Sequence, residues 1–133
     1  MTDQDGPPEP GAGGEESGAA RAPDDLFLRI VAGELPATIV HSDELVVAFR
    51  DVAPQAPVHV LVVPRERYET VAELAAAAPA TLARLVEVAQ RVADAECGGQ
   101  FRLVFNTGPA VGQSVMHVHG HVLGGRGFTW PPG

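Results

Sequence analysis

The segment Met116-His117-Val118-His119-Gly120-His121-Val122 sets three of the chain's five histidines at alternate positions. In extended backbone successive side chains point to opposite faces, so these three imidazoles share one face at a spacing of roughly 6.6–7 Å. Val118 and Val122 then face the other side, where they can pack on a helix, and Gly120 leaves room there. A row of imidazoles is poor core filling, and two chemical uses compete for it. Alternate histidines on a strand can both ligate zinc, but a closed site wants four ligands and a catalytic one usually three plus water. The motif itself holds no Cys, Asp or Glu. The second use is nucleophilic: a neutral imidazole nitrogen attacks phosphorus at pH 7 and forms a labile N-linked phosphoryl intermediate. Flanking histidines would then orient the nucleophile and handle protons.

The residues that lead into the row favour the second use. Gly108-Pro-Ala-Val-Gly112-Gln113-Ser114 carries no basic side chain. Gly112 permits close backbone approach, and Gln113, Ser114 and main-chain N–H groups can donate to phosphate oxygens. Neutral donors of this kind stabilise developing negative charge in the manner of an oxyanion hole. A fourth histidine, His59, shares a strand face with Leu61 and Val63. Alone, it reads as a hydrogen-bonded core histidine.

The elements that must position these groups are legible from periodicity. Asp24 or Asp25 can cap a short helix whose Leu26, Phe27, Ile30 and Val31 lie on one face, ended by Gly33 and Pro36. Residues 38–41, 45–50 and 58–63 read as strands, and the Pro-rich 51–57 as a rigid turn. The Ala-rich stretch 70–96 reads as helical, divided by Pro79 into a short and a longer helix. Its second part carries a stripe of Leu82, Leu85, Val86, Ala89 and Val92 and stops at Gly98-Gly99. Strands at 101–106 and 115–123 complete the chain. No strand–helix–strand repeat occurs, so the expected class is α+β with an antiparallel sheet of about five strands.

Charge narrows the function further. The formal net charge is -8, with all nine basic residues Arg. Residues 1–25 hold seven of the seventeen acids and one Arg, for a net of -6, which leaves -2 for residues 26–133. Without clustered positive charge, nucleic acid and anionic membrane surfaces are not expected partners. Cys97 is alone, so no disulfide scaffold is possible, and no apolar run is long enough to span a bilayer. The acidic start lacks the basic and apolar regions of a signal peptide, which points to a cytoplasmic protein. Residues 1–23 read as a disordered acidic Gly/Pro-rich tail with nothing to bury, ahead of one domain over 24–133. His41 reads as a solvated turn residue, and Cys97 as an ordinary small residue at a helix end.

The motif His117-Val-His119-Gly-His121-Val-Leu-Gly-Gly125 resembles the signature of the histidine triad (HIT) superfamily. The similarity extends over about residues 24–133, through Ala48-Phe-Arg-Asp-Val-Ala-Pro-Gln-Ala-Pro-Val-His-Val-Leu-Val-Val-Pro64, Gly112-Gln-Ser-Val and the terminal Trp130-Pro-Pro-Gly133. Together these resemble the Hint branch, the histidine triad nucleotide-binding proteins. The resemblance implies a homodimer whose antiparallel sheets join, purine nucleotide binding, and hydrolysis of nucleoside 5′-phosphoramidates through a nucleotidyl-histidine, with no catalytic metal and no cofactor. It implies His119 as nucleophile, His117 and His59 as its proton relay, and His121 with Ser114 on the phosphate. It sets Asn106, Gly112, Gln113 and Val115 along the phosphate, and Asp51 on the ribose hydroxyls. Leu26, Phe27, Ile30, Phe49, Arg50 and Val52 would surround the base. Asp51, a carboxylate just past a strand end, suits a ribose diol. Two residues depart from the pattern: Gly120, where the branch often has a bulkier apolar residue, and Arg50, where some members have His. Trp130 is expected to anchor on the partner subunit. Two alternatives remain: hydrolysis of dinucleoside polyphosphates, and a nucleotide-binding scaffold dimer with vestigial catalysis.

Overall fold

The computed structural model describes residues 23–133; the expected tail at residues 1–23 lies almost wholly outside the described residues. A short helix α1 (Leu26–Val31) precedes strands β1 (Ile39–Ser42), β2 (Val46–Arg50) and β3 (Val58–Pro64). Helices α2 (Val71–Ala77) and α3 (Pro79–Cys97) follow, then β4 (Phe101–Val104), a 3-10 turn (Pro109–Val111) and β5 (Gly120–Gly124). The five strands form one sheet in the order β1-β2-β3-β5-β4, and every pairing is antiparallel. The α+β class expected from the sequence is the class observed.

Strand alternation divides the core in two. Val46, Ala48, Val58, Val60, Val62, Val118 and Val122 face α3, where Leu85, Val88, Ala89 and Val92 meet them. Val47, Phe49, Leu61 and Val63 face the other way and pack with Phe27 of α1 and with Val115. The small α1 covers only part of that second face, which is where the histidines emerge.

Local signals explain most boundaries. Pro79 opens α3, where its missing N–H costs nothing, and Gly98 closes it in the left-handed conformation at φ 67°. The buried stripe runs through Leu85, Val88, Ala89, Val92 and Ala93, and Val86 lies off it at 44% exposure. The i, i+3, i+4 spacing from Leu85 selects Val88 over Val86. Asp25 occupies the N-cap of α1, yet its side chain makes no capping hydrogen bond. Thr70 does cap α2, accepting from the Glu73 N–H at 3.2 Å. His41 also differs from expectation: its Nε2 sits 2.7 Å from Asp43, which holds the β1–β2 turn by accepting from the N–H groups of Leu45 and Val46 and from Arg84.

The expected strand over 115–123 is shorter, beginning only at Gly120. The register that pairs Gly120 with Val62 would set His119 and Val118 opposite Val63 and Pro64, the last residues of β3, but the ladder ends at Gly120. Polar groups before Gly120 go elsewhere: the Val118 N–H donates to Tyr68 O at 2.7 Å, and Arg67 Nε donates to Met116 O at 2.8 Å.

Candidate active site

All three triad histidines lie on the α1 side of the sheet although only His121 belongs to a strand. Phe27 packs edge-on against His117 and His119, with ring centroids 5.6 and 4.9 Å away. His119 lies 5.0 Å from His121, and His121 lies 5.3 Å from His59. Gly120 faces the opposite layer, where an added Cβ would meet Leu103, Phe105 and Leu85 at 3.0–3.2 Å. The departure at Gly120 is therefore a core matter and does not touch the site.

Hydrogen-bond partners assign the protons on all four rings. His117 Nε2 lies 2.8 Å from Pro64 O, a carbonyl that can only accept, so this nitrogen carries the hydrogen and Nδ1 is left as a bare acceptor. Likewise His119 Nδ1–H donates to His117 O at 2.8 Å, which leaves His119 Nε2 with its lone pair free. His59 Nδ1 accepts from the Gln55 N–H at 3.0 Å, so neutral His59 carries its hydrogen on Nε2. That Nε2 donates to His121 Nδ1 at 3.0 Å, with Asp51 Oδ2 3.3 Å away. His121 consequently holds its hydrogen on Nε2, a buried atom with no partner among the described residues.

Electrostatics keep the rings neutral. Burial pushes His119 down to about 4 from an ordinary 6.5, against the opposing pull of the His117 carbonyl. Burial lowers His117 and His59 as well, and His121 lies well below the usual range through burial and its histidine neighbours. A neutral His119 with a free Nε2 lone pair is a competent nucleophile near pH 7.

The loop before the triad is organised differently from the sequence expectation. Gln113, 2% exposed, spends its side chain inside the protein, donating to Glu69 O and Val115 O and accepting from the Gly108 N–H. The N–H groups of Gly112 and Gln113 close the 3-10 turn onto Pro109 O and Gly108 O. Gln113 and Gly112 thus shape this loop, and these donors are spent within it. Ser114 is exposed at its rim and Val115 buried beneath it. Asn106, half-buried, follows β4.

The residues expected beside a ribose and base divide. Phe49 packs on Phe27 at 5.5 Å, with Leu26 and Ile30 against the same cluster, and Asp51 stands beside His59. Val52 is 97% exposed on the turn past β2. Arg50 is not on this face. It shares the face of Val46 and Ala48 toward α3, where its guanidinium pairs with both carboxylate oxygens of Glu96 at 3.0 and 2.8 Å. The sequence reading set Arg50 beside the base, whereas the strand period turns its side chain to the helix layer in this structure. Sequence reasoning also missed Gln55, whose main-chain N–H sets the His59 tautomer; a main-chain donor leaves no side-chain signal.

Asp51, His59 and His121 bring potential ligand atoms within 4.8 Å of one another. A metal there would need the His59 Nε2 lone pair, and the Gln55 N–H keeps the hydrogen on that nitrogen. The donor set therefore does not fit a resident ion.

An antiparallel five-stranded sheet with a histidine row displayed on its α1 side defines the class, and residues 32–128 match the HIT domain family. The chain belongs to that family, in its Hint branch. It is 51% identical to an uncharacterized HIT-like protein of Synechocystis sp., covering 84% of this chain and 99% of the relative. It is 41% identical to the purine nucleoside phosphoramidase of Escherichia coli K12 (79% and 90% covered) and to adenylylsulfatase HINT1 of Arabidopsis thaliana (90% and 85%). A solved HIT family hydrolase from Legionella pneumophila superposes with a TM-score of 0.77 at 44% identity, covering 81% of this chain and 98% of that one.

Proposed function

We propose that this protein hydrolyses purine nucleoside 5′-phosphoramidates through a nucleotidyl-His119 intermediate. The observation that carries the reading is the His119 Nδ1–H bond to His117 O, which leaves Nε2 as a free lone pair on a ring held neutral. His119 Nε2 attacks phosphorus and forms a P–N bond; the bond to the substrate nitrogen breaks, its electron pair leaves with the amine, and one proton is taken up from solvent. The new imidazolium keeps its Nδ1–H on the His117 carbonyl. Water then attacks the phosphorus, the nucleoside monophosphate departs, and the proton is returned. His121 Nε2–H, Ser114 and Asn106 donate to phosphoryl oxygens, His117 and His59 tune the flanking rings, Val115 floors the loop, and Asp51 accepts from the ribose. Leu26, Phe27, Ile30, Phe49 and Val52 border the base.

His119→Ala should abolish release of AMP from adenosine 5′-phosphoramidate and the nucleotidyl adduct seen by intact mass after a rapid quench. Full turnover by the variant would refute the mechanism. The Arabidopsis relative's name supports a second substrate, adenylyl sulfate, because the same intermediate forms whichever group leaves. Turnover of both compounds by one preparation ranks them.

The protein acts as a homodimer in the cytoplasm, with a single domain over 24–133 and Trp130 seated on the partner subunit. Trp130 is 82% exposed in the single chain, a large apolar surface that a partner would cover. Among the described residues no helix is long and apolar enough to cross a membrane.

A further inference from the structure

One line of hydrogen bonds reaches the triad from the C-terminal segment. Arg126 Nε donates to Gln55 O at 3.1 Å, and its guanidinium lies 4.1 Å over the Phe128 ring. Arg102 also lies 5.2 Å from that ring and donates to Thr129 O at 2.6 Å, so β4 helps to hold the segment that carries Arg126. On the other side, Gln55 Nε2 donates to Ala53 O, and Asp51 Oδ1 accepts from the Ala53 N–H. Gln55 is thus held through its carbonyl by Arg126 and through its side chain by Ala53 O. Its N–H points at His59 Nδ1, and His59 Nε2 meets His121 Nδ1.

We propose that the main-chain N–H of Gln55, braced by Arg126, is a positioning device that fixes the tautomers of His59 and His121. With Nδ1 of His59 occupied as an acceptor, the hydrogen must sit on Nε2; with Nδ1 of His121 occupied as an acceptor, the same follows for His121. The result is an N–H at His121 Nε2, buried and unpartnered, which suits a phosphoryl oxygen. Were His59 to hold its hydrogen on Nδ1, it would oppose the Gln55 N–H, and His121 would turn a lone pair toward the ligand. Gln55 and Arg126 are positioning residues: they act through His59 and touch no reacting atom. The tautomer assignment is independent of the proposed function; its catalytic consequence rests on that function.

The test uses full-length protein carrying 15N-labelled histidine, with long-range 1H–15N correlation at pH 7.5. Wild type should show an unprotonated Nδ1 and a protonated Nε2 on both His59 and His121. Gln55→Pro deletes the donor and should convert both rings to mixed tautomers. It should lower kcat for adenosine 5′-phosphoramidate about 100-fold, the lower end of what losing one oxyanion donor costs. Arg126→Met keeps a stem over Phe128 and should shift the same signals partway, with Arg126→Lys restoring them. A hydrogen on His59 Nδ1 in wild type overturns the proposal, as do unchanged tautomers in both Gln55→Pro and Arg126→Met. If Gln55→Pro does not fold, the wild-type and Arg126→Met spectra decide. Altered tautomers with unchanged kcat would overturn the positioning role while leaving the hydrolase reading intact. Wild type inactive on phosphoramidate, with the expected tautomers, would instead refute the proposed function alone.

Discussion

Lowering pH from 8 to 5 should destabilise this fold measurably, because His119 resists protonation when folded. The ring ordinarily titrates at 6.5 and in the folded protein at about 4. At 1.36 kcal/mol for each tenfold change, its cation is disfavoured by up to about 3 kcal/mol. The sign follows from proton counting. As pH falls below 6.5 the unfolded chain binds a proton that folded His119 does not, so stability decreases with decreasing pH and levels off below about 4. Between pH 8 and pH 5 the loss from this residue works out at about 2 kcal/mol. His59, His117 and His121 are lowered too and add losses in the same direction. A comparison with His119→Gln isolates the one ring. Urea denaturation followed by far-ultraviolet circular dichroism at pH 8, 6 and 5, at fixed protein concentration, gives the stability of each. The variant should lose about 2 kcal/mol less than wild type over that interval. Parallel pH profiles for the two proteins would refute the claim that His119 is neutral in the folded state.

Two further outcomes test the roles of Arg50 and Gln113. Arg50→Ala should leave affinity for AMP unchanged by calorimetry and cost less than about 1 kcal/mol in urea, since its pair with Glu96 is largely exposed; a tenfold loss of affinity would return Arg50 to the base pocket. Gln113→Ala orphans Gly108 N–H and strips two carbonyls of their donor, so it should cost about 1–3 kcal/mol and speed proteolytic cleavage near residues 108–114; wild-type stability would contradict the bracing role.

The sequence made the layer assignment of the triad legible, because alternate spacing survives even where the ladder does not. Val118 and Val122 do pack on α3, and His117, His119 and His121 do share the opposite side. The start of β5 was not legible: nothing local announces that the Val118 N–H donates to Tyr68 O instead of to the strand opposite. Arg50 shows a different limit. Its strand period was available and turns it toward α3, but its pairing with Glu96 joins residues 46 positions apart and has no local signal. Gln113 could equally donate to phosphate or to its own loop, and only the fold brings Glu69 O within 2.7 Å. The His59–His121 contact joins residues 62 positions apart, beyond any local pattern.

The neutrality of the four imidazoles also bears on how an anion reaches the site. A pocket built of dipoles exerts a field that dies away faster than that of fixed cations, so it does little to draw a phosphate from bulk solution. Encounter would then be governed by diffusion and by the fit of the open face beside α1. Added salt, which screens charges beyond about 10 Å at 0.1 M, would have little long-range attraction to remove. Such a site selects its ligand after arrival, by the directions in which its hydrogens point.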